Sequence, residues 1–323
     1  MRRILKVLVI LVVLVLLAAG AALGFLFVRF PKAEPPAALE VAGSPEQVAR
    51  GDYLANHVTV CLDCHSGHDK TRFANPVVDG TQGQGGETFG HADGFPGEIH
   101  IPNITPAALA EWSDGEVLRA MTSGISRDGH PLFPLMPYPV YAQLSQGDAE
   151  ALVAYLRTLP PRGTVAPPST LDFPLSLIVR TMPSPATLRP DTPQPGTPEY
   201  GRYMATIAGC QFCHTPEEQG KSLPGMDFAG GHDFGTVRSA NITPDELTGI
   251  GGWTKEAFIS RFRTYAAGTG AVAEGDNNTV MPWTLFVGMK DEDLGAIYDY
   301  LRTVKPVRHA VEKWPPRTAN PAG

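Results

Sequence analysis

All four cysteines of the chain occur in two copies of one short motif. Cys-x-x-Cys-His is present at residues 61–65 and again at residues 210–214. Two thiols one helical turn apart can form thioethers with the two vinyl groups of a porphyrin, and the adjacent histidine can ligate the iron. The motif therefore predicts two covalently bound haem c groups. The predicted attachment residues are Cys61, Cys64, His65, Cys210, Cys213 and His214.

Three other uses of paired cysteines are less consistent with this pattern. A four-cysteine zinc site does not require a histidine after both pairs. A thioredoxin-like redox pair is expected within a βαβ unit, which the sequence does not indicate. A structural disulfide would rarely close a loop of only two residues. Haem attachment is the interpretation that uses every residue of the motif.

The second axial ligand of each iron must come from elsewhere in the chain. Met136 and Met281 lie at the same offset from a shared Tyr-Leu-Arg-Thr sequence, and each precedes a proline. The other candidates are Met121, His57, His68, His91, His100 and His130 in the first half, and Met204, Met226, Met289 and His232 in the second. We predict that Met136 and Met281 are the ligands, since only this pair matches without a gap. Ligation by His91 and His232, which share a loop, stays open as an alternative.

Three further pairs of residues lie near the motifs: Trp112 and Trp253, Asn103 and Asn241, and Pro76 and Pro224. The tryptophans are expected either to line the haem or to pack in the core. The asparagines are expected either to hold a loop against the haem propionates or to cap a turn. The prolines are expected to offer backbone carbonyls to the imidazole N–H groups.

The two motifs belong to a longer internal repeat. Residues 50–161 and 199–306 share six sequence features in the same order, which indicates a duplicated domain. The matching segments are Gly51-Asp52-Tyr53 with Gly201-Arg202-Tyr203, the two haem motifs, Asn103-Ile104-Thr105-Pro106 with Asn241-Ile242-Thr243-Pro244, Trp112 with Trp253, Met136-Pro137 with Met281-Pro282, and residues 155–158 with 300–303.

Each repeat is predicted to be mostly helical with long loops. Ser44-Pro45-Glu46 and Thr197-Pro198-Glu199 are typical helix starts, and each precedes a haem motif. A second helix is expected at residues 113–122 and 254–265. A last helix is indicated by apolar residues at helical spacing, from Ala149 to Leu156 and from Leu294 to Leu301. The glycine-rich stretches 80–97 and 220–235 are predicted to be loops.

A proline-rich segment connects the repeats. Residues 160–199 contain 11 prolines, which disfavour helix interiors and favour extended chain. We expect a semi-rigid strap, in which Phe173, Leu175, Leu177, Ile178 and Val179 cover a surface.

The first 30 residues differ from the rest of the chain. Arg2, Arg3 and Lys6 precede an uncharged run of 22 residues, from Val7 to Val28. A helix of that length spans a hydrocarbon core of about 30 Å. The run exceeds the apolar region of an ordinary cleaved signal peptide, so we predict an uncleaved anchor with a cytoplasmic N-terminus. Gly20 and Gly24 form a weak signal for a partner helix.

Composition narrows the function further. The apolar fraction of 43% is sufficient for a folded core. The formal net charge of −7 argues against general nucleic-acid binding as the function of the chain. Without residues 1–30 the body has 22 basic and 33 acidic residues, a net charge of −11. Such a surface favours a basic partner patch or simply keeps the body in solution.

On these motifs the chain resembles the membrane-anchored multihaem cytochrome c subunits of periplasmic dehydrogenases, which accompany quinoprotein, flavoprotein or molybdenum enzymes acting on alcohols, sorbitol, gluconate or aldehydes. The resemblance covers roughly residues 45–306. It rests on Gly201-x-Tyr203, Cys210 to His214, Asn241 to Pro244, Gly249 to Thr254, Met281-Pro282 and, in the strap, Leu171 to Pro174. Family members typically have three haem domains and often a C-terminal membrane segment, whereas this sequence has two motifs and an N-terminal anchor.

The resemblance implies an all-α fold, with two tandem class I cytochrome c domains after one transmembrane helix. The expected organisation is an anchor at 1–30, domains at 44–161 and 197–306, a strap at 162–196 and a tail at 307–323. The implied function is electron transfer from a periplasmic dehydrogenase toward quinone, another cytochrome or a terminal oxidase. The expected location is the bacterial inner membrane, with the haem domains in the periplasm.

Two alternatives to this function stay open. A dihaem enzyme, such as a peroxidase or a thiosulfate-oxidising cytochrome, would need an iron with an open or releasable position. A soluble-side shuttle docked to a terminal oxidase is the second. We expect no substrate chemistry and no small-molecule substrate, because both irons have two predicted protein ligands. We expect no nucleic-acid partner, because the chain is acidic.

Overall fold

A computed structural model describes residues 2–218, 220–273 and 275–315. It begins with a 28-residue helix, α1 (Arg2–Arg29), none of whose residues is buried. By length and composition, this is the one helix in the described part of the chain that could cross a membrane, with a mean hydropathy of 3.0. The last eight residues of the predicted tail lie outside the described residues.

The first repeat (44–161) contains six α-helices, besides a π-helical turn and a short 3₁₀ turn. They are α2 (Pro45–Tyr53), α3 (Cys61–Cys64), α4 (Pro106–Leu109), α5 (Asp114–Ser123), α6 (Tyr138–Tyr141) and α7 (Gln146–Thr158). The strap (162–196) adds one short helix, α8 (Leu175–Ile178). The second repeat (197–306) contains α9 (Pro198–Ile207), α10 (Cys210–His214), α11 (Lys255–Arg263), α12 (Trp283–Phe286) and α13 (Asp291–Leu301).

Short strands accompany the helices, so the expectation of an all-α fold holds only in part. Strands β1 (Thr88–Phe89), β2 (Gly97–His100) and β3 (Thr170–Leu171) form an antiparallel sheet in that order. Strands β4 (Glu217–Glu218) and β5 (Lys221–Ser222) form a hairpin. The first sheet joins the strap to the first repeat, because β3 is strap and pairs with β2.

The predicted helix starts are confirmed by their caps. The Ser44 hydroxyl accepts the Gln47 N–H at 3.2 Å, and the Thr197 hydroxyl accepts the Tyr200 N–H at 3.2 Å. The second helix of each repeat starts in the same way, at Ser113 and at Thr254. A side-chain oxygen at this position satisfies one of the backbone N–H groups that a helix start leaves unpaired.

The first and last helices of each repeat cross at a glycine. A Cβ on Gly51 would lie 1.9 Å from the Ala151 carbonyl oxygen of α7, and a Cβ on Gly201 would lie 2.2 Å from that of Ala296 on α13. The crossing closes the apolar core, in which Leu54, Leu152 and Met204 are fully buried. The repeated glycine is therefore required by close contact between two backbones.

Between the repeated glycine and the haem motif, the first repeat has one residue more than the second. Gly51 precedes Cys61 by ten positions, whereas Gly201 precedes Cys210 by nine. The structure absorbs the insertion as a π-helical turn at Leu54–Val58, directly after α2. This turn brings His57 to the second repeat, where its Nδ1 lies 2.9 Å from the Leu285 carbonyl oxygen and its ring occupies the space beside Gly288.

The two repeats exchange tyrosines across their interface. The Tyr53 hydroxyl of α2 donates to Asp293 at 2.5 Å, and the Tyr203 hydroxyl of α9 donates to Asp148 at 2.6 Å. Asp148 and Asp293 occupy the same helical position in α7 and α13, and each is only 4% exposed. Each aspartate also accepts from its own repeat, Asp148 from Arg50 and Asp293 from Tyr200.

A second contact joins two loops. Asn278 accepts the Ala74 N–H at 2.8 Å and donates to the Arg72 carbonyl at 3.1 Å. The Phe73 and Tyr265 rings stack with their centroids 5.7 Å apart. The loop that leads to Met281 is thus held by the first repeat.

The strap follows the prediction only in part. Val179 is buried and Leu175 and Leu177 are partly covered, as expected. Phe173 and Ile178 are 80% and 47% exposed, so these two residues do not cover the body of the protein.

Candidate haem sites

Each Cys-x-x-Cys-His motif forms a short helix after a left-handed residue. Val60 precedes α3 with φ 46°, and Gly209 precedes α10 with φ 69°. This reversal ends the preceding helical segment and starts a new turn at the first cysteine. The two cysteines of each motif are therefore about one turn apart on the same short helix.

None of the four cysteines is paired in a disulfide. Burial raises the pKa of Cys210 to about 12 and that of Cys213 to about 11. Burial also raises the pKa of Cys61 and of Cys64, and the nearby Asp63 carboxylate raises that of Cys64 further. The surroundings of all four sulfurs therefore disfavour a thiolate.

Each motif histidine is held by a backbone carbonyl. His65 Nδ1 lies 2.8 Å from the Pro102 oxygen, and His214 Nδ1 lies 2.7 Å from the Ala240 oxygen. Because a carbonyl only accepts, Nδ1 carries the proton, and Nε2 keeps its lone pair. Burial lowers the pKa of both imidazoles, which favours the neutral form that ligates a metal.

The prediction that Pro76 and Pro224 supply these carbonyls is wrong. The Pro76 carbonyl accepts the Asp69 N–H at 2.9 Å instead. The residues that bind the imidazoles come directly before the two Asn-Ile-Thr segments, whose recurrence was the sequence signal for this contact. Proximity in sequence was misleading because the chain returns to the histidine only after the glycine-rich loop.

The recurring asparagines fix the carbonyls indirectly, by holding a turn. Asn103 Oδ1 accepts from the Thr105 backbone and hydroxyl at 2.8 Å, and its Nδ2 donates to the Arg162 carbonyl. Asn241 does the same with Thr243 and with the Val307 carbonyl at 2.8 Å. Of the two roles considered, turn capping is the one observed.

The same hydrogen bonds extend the repeat beyond its predicted ends. The segments after the last helices, 162–164 and 307–309, occupy equivalent positions beside Asn103 and Asn241. The beginning of the strap and the beginning of the tail are therefore structural parts of the two repeats.

Two glycines allow the loop after each motif to reach the same place. Gly85 donates to the His65 carbonyl at 2.9 Å, and Gly230 donates to the His214 carbonyl at 2.7 Å. Both have positive φ, and a Cβ on either would lie within 2.5 Å of the backbone at Pro102 or Ala240. A side chain there would push the acceptor carbonyl away from the imidazole.

The two predicted methionine ligands lie in matching turns. The carbonyls of Met136 and Met281 each accept an N–H two residues later, from Tyr138 and Trp283, at 2.7 Å. The intervening prolines have φ −78° ψ 53° and φ −77° ψ 59°, an inverse γ-turn in both repeats. Both methionine side chains are partly buried against the core, so the two residues have similar backbone conformations and similar burial.

Most of the alternative ligands have other contacts. Met121, Met204 and Met289 are at most 5% exposed on the core side of helices or turns. The histidine contacts are His57 with the Leu285 carbonyl, His68 with Asp63 and Glu87, His91 with Asp172, His100 with Thr88, His130 with Asp128, and His232 with the Thr215 carbonyl. His91 and His232 thus differ in environment, which does not favour a matched bis-histidine pair.

The donor set fits a haem c group better than a zinc ion. Within residues 2–218, 220–273 and 275–315, no three His, Cys, Asp or Glu side chains are grouped to hold a metal. Each motif instead offers two cysteine sulfurs and one imidazole with its Nε2 lone pair retained, and each repeat also contains one Met-Pro turn. That combination suits covalent attachment with two axial ligands.

Comparison with known protein families decides the class of the second repeat. The cytochrome c family model matches residues 199–305, which include α9 to α13 and the motif at Cys210. The second repeat is a cytochrome c domain. The predicted family resemblance is confirmed, since relatives of the chain are cytochrome c subunits of dehydrogenases and a dihaem cytochrome.

Three relatives illustrate the range. The chain is 28% identical over 294 residues to the fructose dehydrogenase cytochrome subunit of Gluconobacter japonicus, covering 84% of this chain and 56% of that protein. It is 32% identical over 231 residues to the cytochrome c subunit of the quinone-dependent alcohol dehydrogenase of Gluconacetobacter polyoxogenes, covering 65% and 49%. It is 29% identical over 308 residues to a diheme cytochrome c-type protein of Cereibacter sphaeroides, covering 90% and 95%. The chain spans about half the length of the first two relatives.

The backbone carbonyls of the two predicted tryptophans contact the last helix of each repeat. The Trp112 carbonyl accepts from the Arg157 guanidinium at 2.5 Å, and the Trp253 carbonyl accepts from the Tyr298 hydroxyl at 2.6 Å. Both side chains are partly exposed, and Trp112 packs against the core. Their backbone contacts tie the segment before the second helix to the last helix of each repeat.

The contacts between the repeats lie on elements that adjoin the two motifs. The tyrosine exchange joins α2 to α13 and α9 to α7, and Asn278 joins the loop before Met281 to the loop after the first motif.

Proposed function

We propose that the chain is a membrane-anchored dihaem c-type cytochrome that transfers electrons from a periplasmic dehydrogenase toward quinone, another cytochrome or a terminal oxidase. Each repeat would hold one haem c, so that the first repeat is a second class I cytochrome c domain. The observation that carries this proposal is the matched pair of imidazoles, each bound through Nδ1 to a carbonyl before an Asn-Ile-Thr turn.

The proposed axial ligands are His65 with Met136 and His214 with Met281. The equivalent inverse γ-turns support this assignment, because they give both methionines the same backbone position relative to a short helix. A histidine and a methionine together raise the reduction potential relative to two histidines. Haem itself supplies the reversible one-electron change.

The residues of each site hold the group rigidly. The Pro102 and Ala240 carbonyls orient the imidazoles, and the Asn103 and Asn241 turns hold those carbonyls in place. Fixed ligands keep the reorganisation small when the iron charge changes. The tyrosine exchange and the Asn278 contact hold the two repeats together, which supports electron exchange between the two groups within the chain.

The apolar helix α1 supports a single-pass anchor, with the basic residues before it on the cytoplasmic side. The repeats would then lie in the periplasm, on the outer face of the bacterial inner membrane. Covalent haem attachment agrees with export of the body.

The names of the relatives support a dehydrogenase catalytic subunit as the electron donor, with this chain as a subunit without substrate chemistry. The acidic body favours a basic docking patch on that partner. A respiratory component would accept the electrons.

The proposal is tested by a redox titration of the purified full-length chain. We expect two haems per chain, thioether-linked, and little carbon monoxide binding to the reduced protein, because both irons have two protein ligands. The variants Met136→Ala and Met281→Ala are each expected to lower the potential of one haem and to open that iron to carbon monoxide.

Met121→Ala provides the matched control, since Met121 is buried in the core on α5. It is expected to lower stability by roughly 2–5 kcal/mol without changing either potential by a comparable amount. Unchanged potentials in both turn variants would contradict the axial assignment. Stoichiometric carbon monoxide binding to one haem of the unaltered protein would favour a dihaem enzyme instead.

A further inference from the structure

Two strongly exposed apolar side chains lie on the strap. Phe173, just before α8, is 80% exposed, and Ile178, the last residue of that helix, is 47% exposed, while Val179, the next residue along, is buried. The neighbouring leucines, Leu175 and Leu177, are partly covered. We call residues 173–178 the strap turn. Its buried side fixes it to the protein, and its other side presents apolar groups outward.

The strap turn is attached to the end of the apolar helix α1. The Arg180 guanidinium lies 4.5 Å from the centroid of the Phe27 ring and donates to the Phe30 carbonyl at 2.7 Å. Ile178 is two residues from Arg180, so their Cα atoms are at most about 7 Å apart. Phe173 lies in the turn just before α8, and the chain from Leu175 to Thr181 is helical and rises only about 1.5–2 Å per residue. The whole turn therefore lies near Phe27.

Phe27 marks the level at which α1 leaves the apolar part of a membrane. The uncharged run ends at Val28 and is followed by Arg29 and Lys32. Arginine and lysine at such a position hold their charges among lipid headgroups while their stems lie against apolar groups. Arg180 adds a third positive charge at this level, where basic side chains can pair with the phosphate groups of lipids although the body as a whole is acidic.

The chain between α1 and the first repeat is held as well. The Glu34 carbonyl accepts from Arg119 at 3.2 Å, and the Val41 N–H donates to Asp114 at 2.8 Å. The backbone at Ala37 lies so close to Gly115 that a Cβ there would approach within 2.0 Å. These contacts keep the strap turn and the end of α1 on the same side of the first repeat.

We propose that the strap turn is a second membrane contact, in which Phe173 and Ile178 enter the boundary between headgroups and acyl chains of the phospholipid bilayer. A short segment with apolar groups on one side and basic neighbours is suited to such a surface. Together with α1, it would orient the two repeats relative to the membrane. The inference rests on the anchor assigned under the proposed function.

Photo-crosslinking of the full chain tests this contact. Benzoylphenylalanine is placed singly at Phe173, Ile178, Leu14 or Leu247, and the chain is reconstituted in nanodiscs of phosphatidylethanolamine and phosphatidylglycerol. Leu14 lies in the middle of α1, and Leu247 is a 72% exposed side chain in the second repeat. We expect phospholipid adducts at positions 173 and 178, at a yield several-fold above that at position 247.

A variant tests how the strap turn is held. Arg180→Gln, combined with the probe at position 173, is expected to reduce the lipid adduct, because the link to Phe27 and Phe30 is lost. Arg308→Gln is the matched control, since this exposed arginine pairs with Asp245 in the second repeat. It is expected to leave the adduct yield unchanged.

The outcomes separate the possible failures. Lipid adducts at Leu14 but not above the Leu247 level at positions 173 and 178 would overturn the membrane contact alone. A protein adduct at position 173 in native membranes would overturn it in favour of a partner surface. No adduct at Leu14 would overturn the anchor, and the strap contact with it, while leaving the redox behaviour of the haem sites as a separate question.

Discussion

The side chain of Asn241 joins three segments of the cytochrome c domain. Its Oδ1 accepts from Thr243, and its Nδ2 donates to Thr248 at 3.0 Å and to the Val307 carbonyl at 2.8 Å. It is 5% exposed, so these groups have little access to water. The residue before it, Ala240, holds the imidazole of His214. A single amide thus connects the loop, the segment after α13 and, through Ala240, the proposed iron ligand.

We expect Asn241→Ala to lower the free energy of unfolding by roughly 1–3 kcal/mol, since it leaves buried groups without partners. The Ala240 carbonyl would be held less firmly, which weakens the hydrogen bond that makes the imidazole a stronger donor. The potential of one haem should then rise. Urea unfolding and a redox titration of the full chain measure the two effects.

Asn56→Ala is the control for this substitution. Asn56 donates to Asp52 and to the Tyr155 hydroxyl at 2.9 Å in the first repeat. It should lower stability slightly and leave both potentials as they are. If Asn241→Ala changed stability and not the potential, the asparagine would support the fold without positioning the ligand.

At the scale of residues, the sequence predicted which side chains belong to the candidate sites better than it predicted which backbone atoms do. The attachment motifs, the repeated asparagines and the Met-Pro pair were visible as residue types at matching offsets. The carbonyl acceptors were not, because any residue carries a carbonyl. The acceptors lie 37 and 26 positions after their histidines, and only the folded loop brings them back.

At the scale of elements, the two helix crossings have the same construction. α2 crosses α7 at Gly51, and α9 crosses α13 at Gly201. A backbone oxygen occupies the place of the missing side chain in both repeats, so the neighbouring helix cannot move aside without disturbing the core. The glycine in the repeated Gly-x-Tyr sequence is explained by this packing.

Gly201→Ala is expected to lower the free energy of unfolding by roughly 1–3 kcal/mol, because the new methyl group would overlap the Ala296 carbonyl. Gly147→Ala, an exposed glycine in α7 with open space around it, is the matched control. It should raise the free energy of unfolding by roughly 0.4–1 kcal/mol. Equal effects in urea unfolding would show that the helices tolerate a wider separation.

Sequence patterns predicted the long elements and missed the irregular ones. Caps and apolar spacing gave α5, α7, α11 and α13 to within a few residues, since local chemistry determines helix ends. The extra residue before Cys61 was present in the sequence, but its conversion into a π-helical turn depends on packing against the second repeat. The strands β1 to β3 were not expected, because each is too short to show an alternating pattern.

At the scale of the whole molecule, the interface between repeats is reciprocal but not symmetric. Asp148 accepts one hydrogen bond from the Tyr203 hydroxyl and two from Arg50, the latter both at 2.8 Å. Asp293 accepts hydrogen bonds from two hydroxyls, those of Tyr53 and Tyr200. The sequence alone gave no sign of this exchange, because an aspartate in the first turn of a helix is usually explained by the helix dipole.

The tyrosine hydroxyls make the interface sensitive to alkaline pH. Burial raises the pKa of Tyr53, Tyr200 and Tyr203 well above the ordinary value of 10.0, and the neighbouring carboxylates raise it further. The folded state therefore retains these protons at a pH where the unfolded chain loses them. Their contribution to stability is present in full below pH 10 and decreases as the pH rises above it.

We expect the double variant Tyr53→Phe, Tyr203→Phe to lose part of this alkaline dependence. At neutral pH it should be less stable by roughly 1–3 kcal/mol for each carboxylate that loses a buried donor. Asp293 should be affected more than Asp148, since Arg50 still pairs with the latter.

Because the two hydroxyls couple the repeats, calorimetry should show one unfolding transition for the unaltered chain and two for the variant. Tyr155→Phe, which removes a hydroxyl whose pKa is raised to about 12 within the first repeat, should retain a single transition. A single transition in the double variant, with the alkaline decrease unchanged, would mean that the remaining contacts, such as those of Asn278 and His57, are sufficient to couple the repeats.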